Sequence, residues 1–248
     1  MKLRAALLLF ALLSLLTVST FAYSGGEDSA APDSAAGPAG ETVQAPDSPE
    51  EAPRFAPVRA YEGAFADVDA GSWYAGAAAS AYEYGLLNGR SETAFAPQEN
   101  ITIAELLTIA ARLRCIYQTG SDAPLAQAEA ASPWYAPYVS YLKSEKLLGN
   151  SFEGFYLLPA SRAQMAAIFA FALPADWYEE ANAELVTQCY ASGEYIADVT
   201  EKTPYRSEIL LMYRRGLLSG MDERGSFCPE RSVSRAEIAA LLSRVVQP

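Results

Sequence analysis

The chain has 248 residues, 51% of them hydrophobic and 19% charged, with 18 basic against 30 acidic side chains, three cysteines and no histidine. That length holds one or two domains with a real core, and a net charge of −12 leaves too little basic surface for a nucleic-acid binder or for a partner of anionic membranes. Without histidine, Ser-His-Asp and Cys-His catalysis and the HExxH zinc site are absent, and no cofactor or metal is expected.

Residues 1–22 read as a secretory signal peptide. Lys2 and Arg4 precede an apolar run from Ala5 to Leu16, and Thr20-Phe21-Ala22 offers small residues at the −3 and −1 positions of a cleavage site. The run is shorter than the ~20 residues that a membrane span needs, so export without a membrane anchor is the expectation. Residues 23–60 follow as an acidic spacer rich in Pro and Ala, with seven acids before its first base, Arg54. Such a stretch has too little apolar surface to offset the entropy of ordering. Cys115, Cys189 and Cys228 are an odd number for an exported chain; three small buried side chains is the simplest reading, with one disulfide plus a free thiol as the alternative.

The remaining residues carry an internal repeat. Thr102-Ile103-Ala104-Glu105, Ser161-Arg162-Ala163-Gln164 and Ser234-Arg235-Ala236-Glu237 each place a hydroxyl three residues before Glu or Gln, the pattern of a helix capping box. Apolar residues then recur at the same helical offsets: Leu106, Ile109, Ala110 and Leu113; Met165, Ile168, Phe169 and Ala172; Ile238, Leu241, Leu242 and Val245. An earlier helix repeats in register from Tyr74, Tyr135 and Tyr205, ending in Leu86-Leu87, Leu147-Leu148 and Leu217-Leu218. Gly85 and Gly216 precede two of these pairs, where a left-handed glycine ends a helix. Lys146 stands there in the middle copy, so its helix end should differ. Phe95-Ala96-Pro97, Leu157-Leu158-Pro159 and Phe227-Cys228-Pro229 line up in the intervening loops.

These residues resemble the S-layer homology family. Phe65-Ala66-Asp67-Val68, Trp73-Tyr74, Gly85-Leu86-Leu87-Asn88-Gly89, Phe95-Ala96-Pro97 and the first capping box look like one repeat. Trp134-Tyr135 with the second box resembles another, and Ala197-Asp198-Val199, Gly216-Leu217-Leu218-Ser219-Gly220, Phe227-Cys228-Pro229 and the third box a third. The resemblance implies an all-α fold, a pseudo-threefold helical spindle with a three-helix central bundle and prongs. The repeats would span 61–120, 121–175 and 176–248, the last with an extra helical stretch at 176–190. It also implies a secreted, non-catalytic module at the cell surface. Its inter-repeat grooves would bind secondary cell-wall polysaccharide carrying anionic, pyruvate-like groups.

The ligand-binding candidates follow. Arg162 and Arg235 stand at the first helical position, where a forked cation beside free N–H groups and the positive helix end suits a carboxylate, and packing there has no evident need of a guanidinium. Ile103 occupies the equivalent place in the first repeat, whose groove would lack the cation. Trp73 and Trp134 fit either a helix-start core position or a sugar-stacking platform, and Asp67 and Asp198 either a ligand contact or a local turn cap. Gly89 and Gly220 belong to the groove loops by resemblance. Glu105, Gln164 and Glu237 are explained by capping. Acids adjacent in sequence, such as Glu179-Glu180 or Asp222-Glu223, point to different faces and give no opposed carboxylates, so no enzyme is expected. The alternative to sugar binding is an envelope subunit that uses degenerate grooves to contact other envelope proteins.

Overall fold

A computed structural model describes residues 55–125, 132–173 and 196–246, all within the compact unit Glu50–Pro248. The signal sequence, most of the spacer, the 176–190 stretch, Glu179, Glu180 and Cys189 lie outside the described residues. Among the described residues the protein is all-α, with six helices and no strand beyond three isolated bridge pairs. They are α1 (Ala75–Glu83), α2 (Ile103–Thr119), α3 (Ala136–Ser144), α4 (Arg162–Ala172), α5 (Arg206–Arg214) and α6 (Arg235–Val246).

The longer helices start where the capping boxes put them. Thr102 Oγ1 accepts from Glu105 N while Glu105 reaches back to Thr102 N, and Ser161 with Gln164 and Ser234 with Glu237 repeat the exchange. The apolar offsets named above are buried in all three copies. The short first helices cannot stand alone, and each is covered by the second helix of another copy: α2 packs on α3, α4 on α5 and α6 back on α1, with α2 also on α4.

The residues just before the three caps meet at the centre. Ile101 N donates to Val233 O at 2.9 Å, Val233 N to Ala160 O at 3.1 Å, and Ala160 N to Ile101 O at 2.9 Å, closing a ring of three backbone hydrogen bonds. All three residues are fully buried, so each N–H and C=O in the ring is satisfied only by the other two segments. The helix starts are tied across the same junctions. Arg162 N and Ala163 N donate to Arg231 O and Pro229 O, Arg235 N and Ala236 N to Glu99 O and Pro97 O, and Ile103 N and Ala104 N to Leu158 O and Tyr156 O. The acceptors stand three and five residues before the cap in every copy. Tyr156 therefore takes the place of Pro97 and Pro229, and the apparent match of Leu157-Leu158-Pro159 to the two Phe-x-Pro loops is a coincidence of spacing. Leu157 is exposed, whereas Phe95 and Phe227 are fully buried.

Two further expectations change. The folded part begins before residue 60: Phe55 is buried, Val58 N and Arg59 N donate to Glu83 O, and the Arg59 guanidinium lies 3.7 Å over the Tyr82 ring. The middle copy ends its first helix as the others do, because Lys146 takes a φ of 59° where Gly85 and Gly216 take 67° and 68°. Leu147 N and Leu148 N then donate to Leu142 O, as Leu86 N and Leu87 N do to Ala81 O. A side chain in the left-handed region costs about 1–2 kcal/mol, partly offset by the greater freedom of an unfolded glycine. Lys146→Gly should therefore stabilise the protein by about 0.5–1 kcal/mol in urea unfolding, and an unchanged or lower midpoint would show that the turn is not strained.

Candidate functional site

The free N–H groups that made the helix starts attractive for an anion are already spent on the neighbouring copy's loop carbonyls. The arginines are likewise engaged. Arg162 is 5% exposed and Arg235 2%. Arg162 Nε donates to Phe227 O at 2.7 Å and Nη2 to Ser219 O at 3.3 Å, with its guanidinium 4.7 Å from the Phe227 ring centroid. Arg235 Nε donates to Phe95 O at 2.8 Å and Nη2 to Asn88 O, 5.0 Å from the Phe95 centroid. The premise that packing needs no guanidinium here is thus corrected: a fork that serves two main-chain acceptors and covers a ring is what each junction uses. Burial pushes both guanidinium groups below their ordinary value. Glu237 opposes this at Arg162, and Glu105, Glu99 and Asp67 oppose it at Arg235.

Asp67 and Asp198 complete the same clamp from the other side. Asp67 Oδ1 and Oδ2 accept from Phe95 N and Ala96 N at 2.8 and 2.7 Å, and Asp198 accepts from Phe227 N and Cys228 N at 2.7 and 2.6 Å. These bonds hold Ala96 and Cys228 at φ 58° and 57°, so both aspartates have a demonstrated loop-fixing role. Each buried phenylalanine is therefore held at its N–H by an Asp of its own copy and at its C=O by an Arg of another copy. At the junction between the first and second copies Ile103 takes the place of the Arg, and the sequence has Ala128 seven residues before Tyr135, where Asp67 and Asp198 stand seven before Tyr74 and Tyr205.

Gly89 and Gly220 are required by crowding. A Cβ at Gly89 would lie 2.4 Å from Ser91 O and 2.7 Å from Ala94 O, and one at Gly220 2.4 Å from Gly225 Cα. Trp73 and Trp134 are 68% and 42% exposed, so neither is a core residue; the following Tyr74 and Tyr135 turn inward and meet each indole edge-on. Cys115 and Cys228 are free, the first buried and the second half-buried.

Three of the candidates converge. Trp73 from the start of α1, Arg162 and Met165 from α4, Leu217–Met221 with Gly220, and Glu237, Leu241 and Arg244 from α6 line one crevice of about 250 Å³. Glu237 is bonded to Arg231 and lies 3.6 Å from Arg162 Nη1, so its charge is offset within the fold. Sequence reasoning missed Arg244, whose place in the last turn of α6 reads as ordinary complementarity to the helix dipole. Arg235 and Gly89 meet at the opposite junction beside Asn88, away from this crevice. Among the described residues no group of Cys, Asp and Glu is placed to hold a metal ion, and no helix is long and apolar enough to cross a membrane.

Among the described residues the scaffold is thus all-helical and carries a crevice lined by an exposed indole and by guanidinium groups. Residues 64–107 and 195–239 match the family model of the S-layer homology domain. S-layer homology domains are in general cell-wall-binding modules. No curated protein matches the chain.

Two outcomes follow from the clamps. Arg235→Ala leaves Phe95 O and Asn88 O without their donors and should cost about 2–4 kcal/mol in denaturant unfolding, with Arg235→Lys in between; equal stability of all three proteins would contradict the clamp. Burial raises the Asp67 carboxyl, but the N–H groups of Phe95 and Ala96 outweigh it and hold the pKa below its ordinary 3.8. A depressed value stabilises the fold above pH 3.8, and that contribution fades as pH falls through the lower native value. Asp67 is solvent-facing, so Asp67→Asn should cost only about 1 kcal/mol at pH 7 and less at pH 3; a difference that grows on acidification would reverse the sign assigned here.

Proposed function

We propose that the protein is an exported, non-catalytic surface module that binds secondary cell-wall polysaccharide through anionic substituents such as ketal-linked pyruvate. The observation that carries this reading is the crevice at Trp73, Arg162 and Arg244. It offers a ring face for a sugar and cationic N–H donors for a carboxylate, in a molecule whose acidic surface elsewhere repels polyanions. The middle segment is taken as a third, divergent repeat, arranged with the other two as a pseudo-threefold spindle. Its capping box, its helix pair and its share of the central hydrogen-bond ring support that view. Export rests on the signal-like residues 1–22.

Retention on intact purified walls, and loss of retention once the non-peptidoglycan polymer is stripped, is the expected behaviour. Trp73→Ala should weaken retention by about tenfold, the order of a lost ring–sugar contact, while the melting curve stays unchanged because the indole is exposed. Wild-type affinity in this variant would remove Trp73 from the site. A second reading, contact with other envelope proteins, is favoured by the exposed Phe155, Leu157 and Leu158 of the middle loop. Undiminished binding to stripped walls would favour it over the sugar.

A further inference from the structure

The tenth residue after each cap lines a crevice in every copy, and the three copies answer differently. In the first it is Arg112, whose Nε donates to Asp122 Oδ2 at 2.6 Å in a crevice shared with Phe55, Ala56, Pro57 and Val58. Its charge is neutralised and its surroundings are filled by the chain's own segment. In the second it is Phe171, in a crevice of about 200 Å³ lined by Leu148, Phe152 and Tyr205. No guanidinium lines that crevice. In the third it is Arg244, which is exposed, donates Nη1 to Leu217 O at 2.9 Å, and pairs with no carboxylate among the described residues.

Within the third crevice the two arginines are not equivalent. Arg162 is buried, with Nε and Nη2 given to carbonyls and Nη1 turned toward Glu237. Arg244 keeps most of its five N–H donors for solvent or a ligand, and it lines the same crevice as Trp73.

Building on the wall-binding reading above, we infer that the described residues carry a single charge-reading site, and that Arg244 is the residue that grips the ligand's carboxylate while Arg162 positions the crevice wall. The consequence is one anionic sugar per chain in place of the two or three that repeated arginines suggest. It also assigns specificity to a residue outside the capping boxes.

Calorimetric titration of the full chain with a pyruvylated disaccharide tests this, alongside the same disaccharide without its pyruvate and alongside retention on intact walls. One equivalent should bind, with affinity that falls as salt rises. Arg244→Gln should weaken binding about 10- to 100-fold and lose most of the salt dependence and most of the preference for the charged sugar. Arg244→Lys should recover part of each, whereas Arg112→Gln should bind as the parent does. A stoichiometry above one, or parental affinity in a folded Arg244→Gln protein, overturns the inference even where walls still retain the parent. A parent that neither walls nor the sugar retain overturns the wall-binding reading, and this inference with it.

Discussion

Everything in the fold hangs on the closed ring of Ile101, Ala160 and Val233. Three peptide groups from distant parts of the chain satisfy one another in a place that water does not reach, so opening any one bond leaves a buried donor and a buried acceptor at about 1–3 kcal/mol each. Two segments cannot close the ring without the third. Each ring residue directly precedes a helix cap, so the ring also fixes where α2, α4 and α6 begin and which loop each helix start faces. The pairing of α2 with α3, α4 with α5 and α6 with α1 follows from that placement.

The junctions around the ring come in two kinds. At two of them a carboxylate, a buried phenylalanine and a buried arginine form a single assembly: Asp67, Phe95 and Arg235 at one, Asp198, Phe227 and Arg162 at the other. At the remaining one, Ile103 faces a shorter loop whose turns close on themselves, with Phe155 N donating to Phe152 O and Leu158 N to Phe155 O. Ile103 in the first copy and the missing aspartate in the second are therefore one change seen from two sides. A guanidinium at that junction would lack the Asp-held aromatic loop that the other two arginines cover, so the apolar residue suits the loop that is there.

Sequence reasoning reached what is local. Capping boxes, helix faces and the buried leucine pairs are set by residues three or four apart, and periodicity reports such neighbours directly. It failed where the partner is a main-chain atom of another copy. The pattern around Arg162 gives no sign that Phe227 O and Ser219 O are its acceptors, because carbonyls leave no mark in a sequence. The alignment of Leu157-Leu158-Pro159 failed for a related reason. Register is set by the hydrogen bonds three and five residues before the cap, and those bonds do not depend on which residue is proline. Lys146 failed because tertiary contacts on the Leu147-Leu148 turn override the local preference for glycine. In the crevice, Trp73 and Gly220 were legible as motif residues. Arg244 was not, because only the packing of α6 against α1 brings it into the crevice that the indole lines.

The strap at Phe55–Arg59 bears on mechanics. Tension transmitted along the polypeptide ahead of Phe55 enters the fold where Phe55 is buried and where Val58 and Arg59 are pinned to Glu83 at the end of α1. Because α1 is packed on α6, that load passes at once from the first-formed part of the chain to the last. It is then shared between the first and the last helix and not borne by α1 alone. A module tethered from this side would hold until the strap is drawn out of the core, which makes the seat of Phe55 its mechanical fuse.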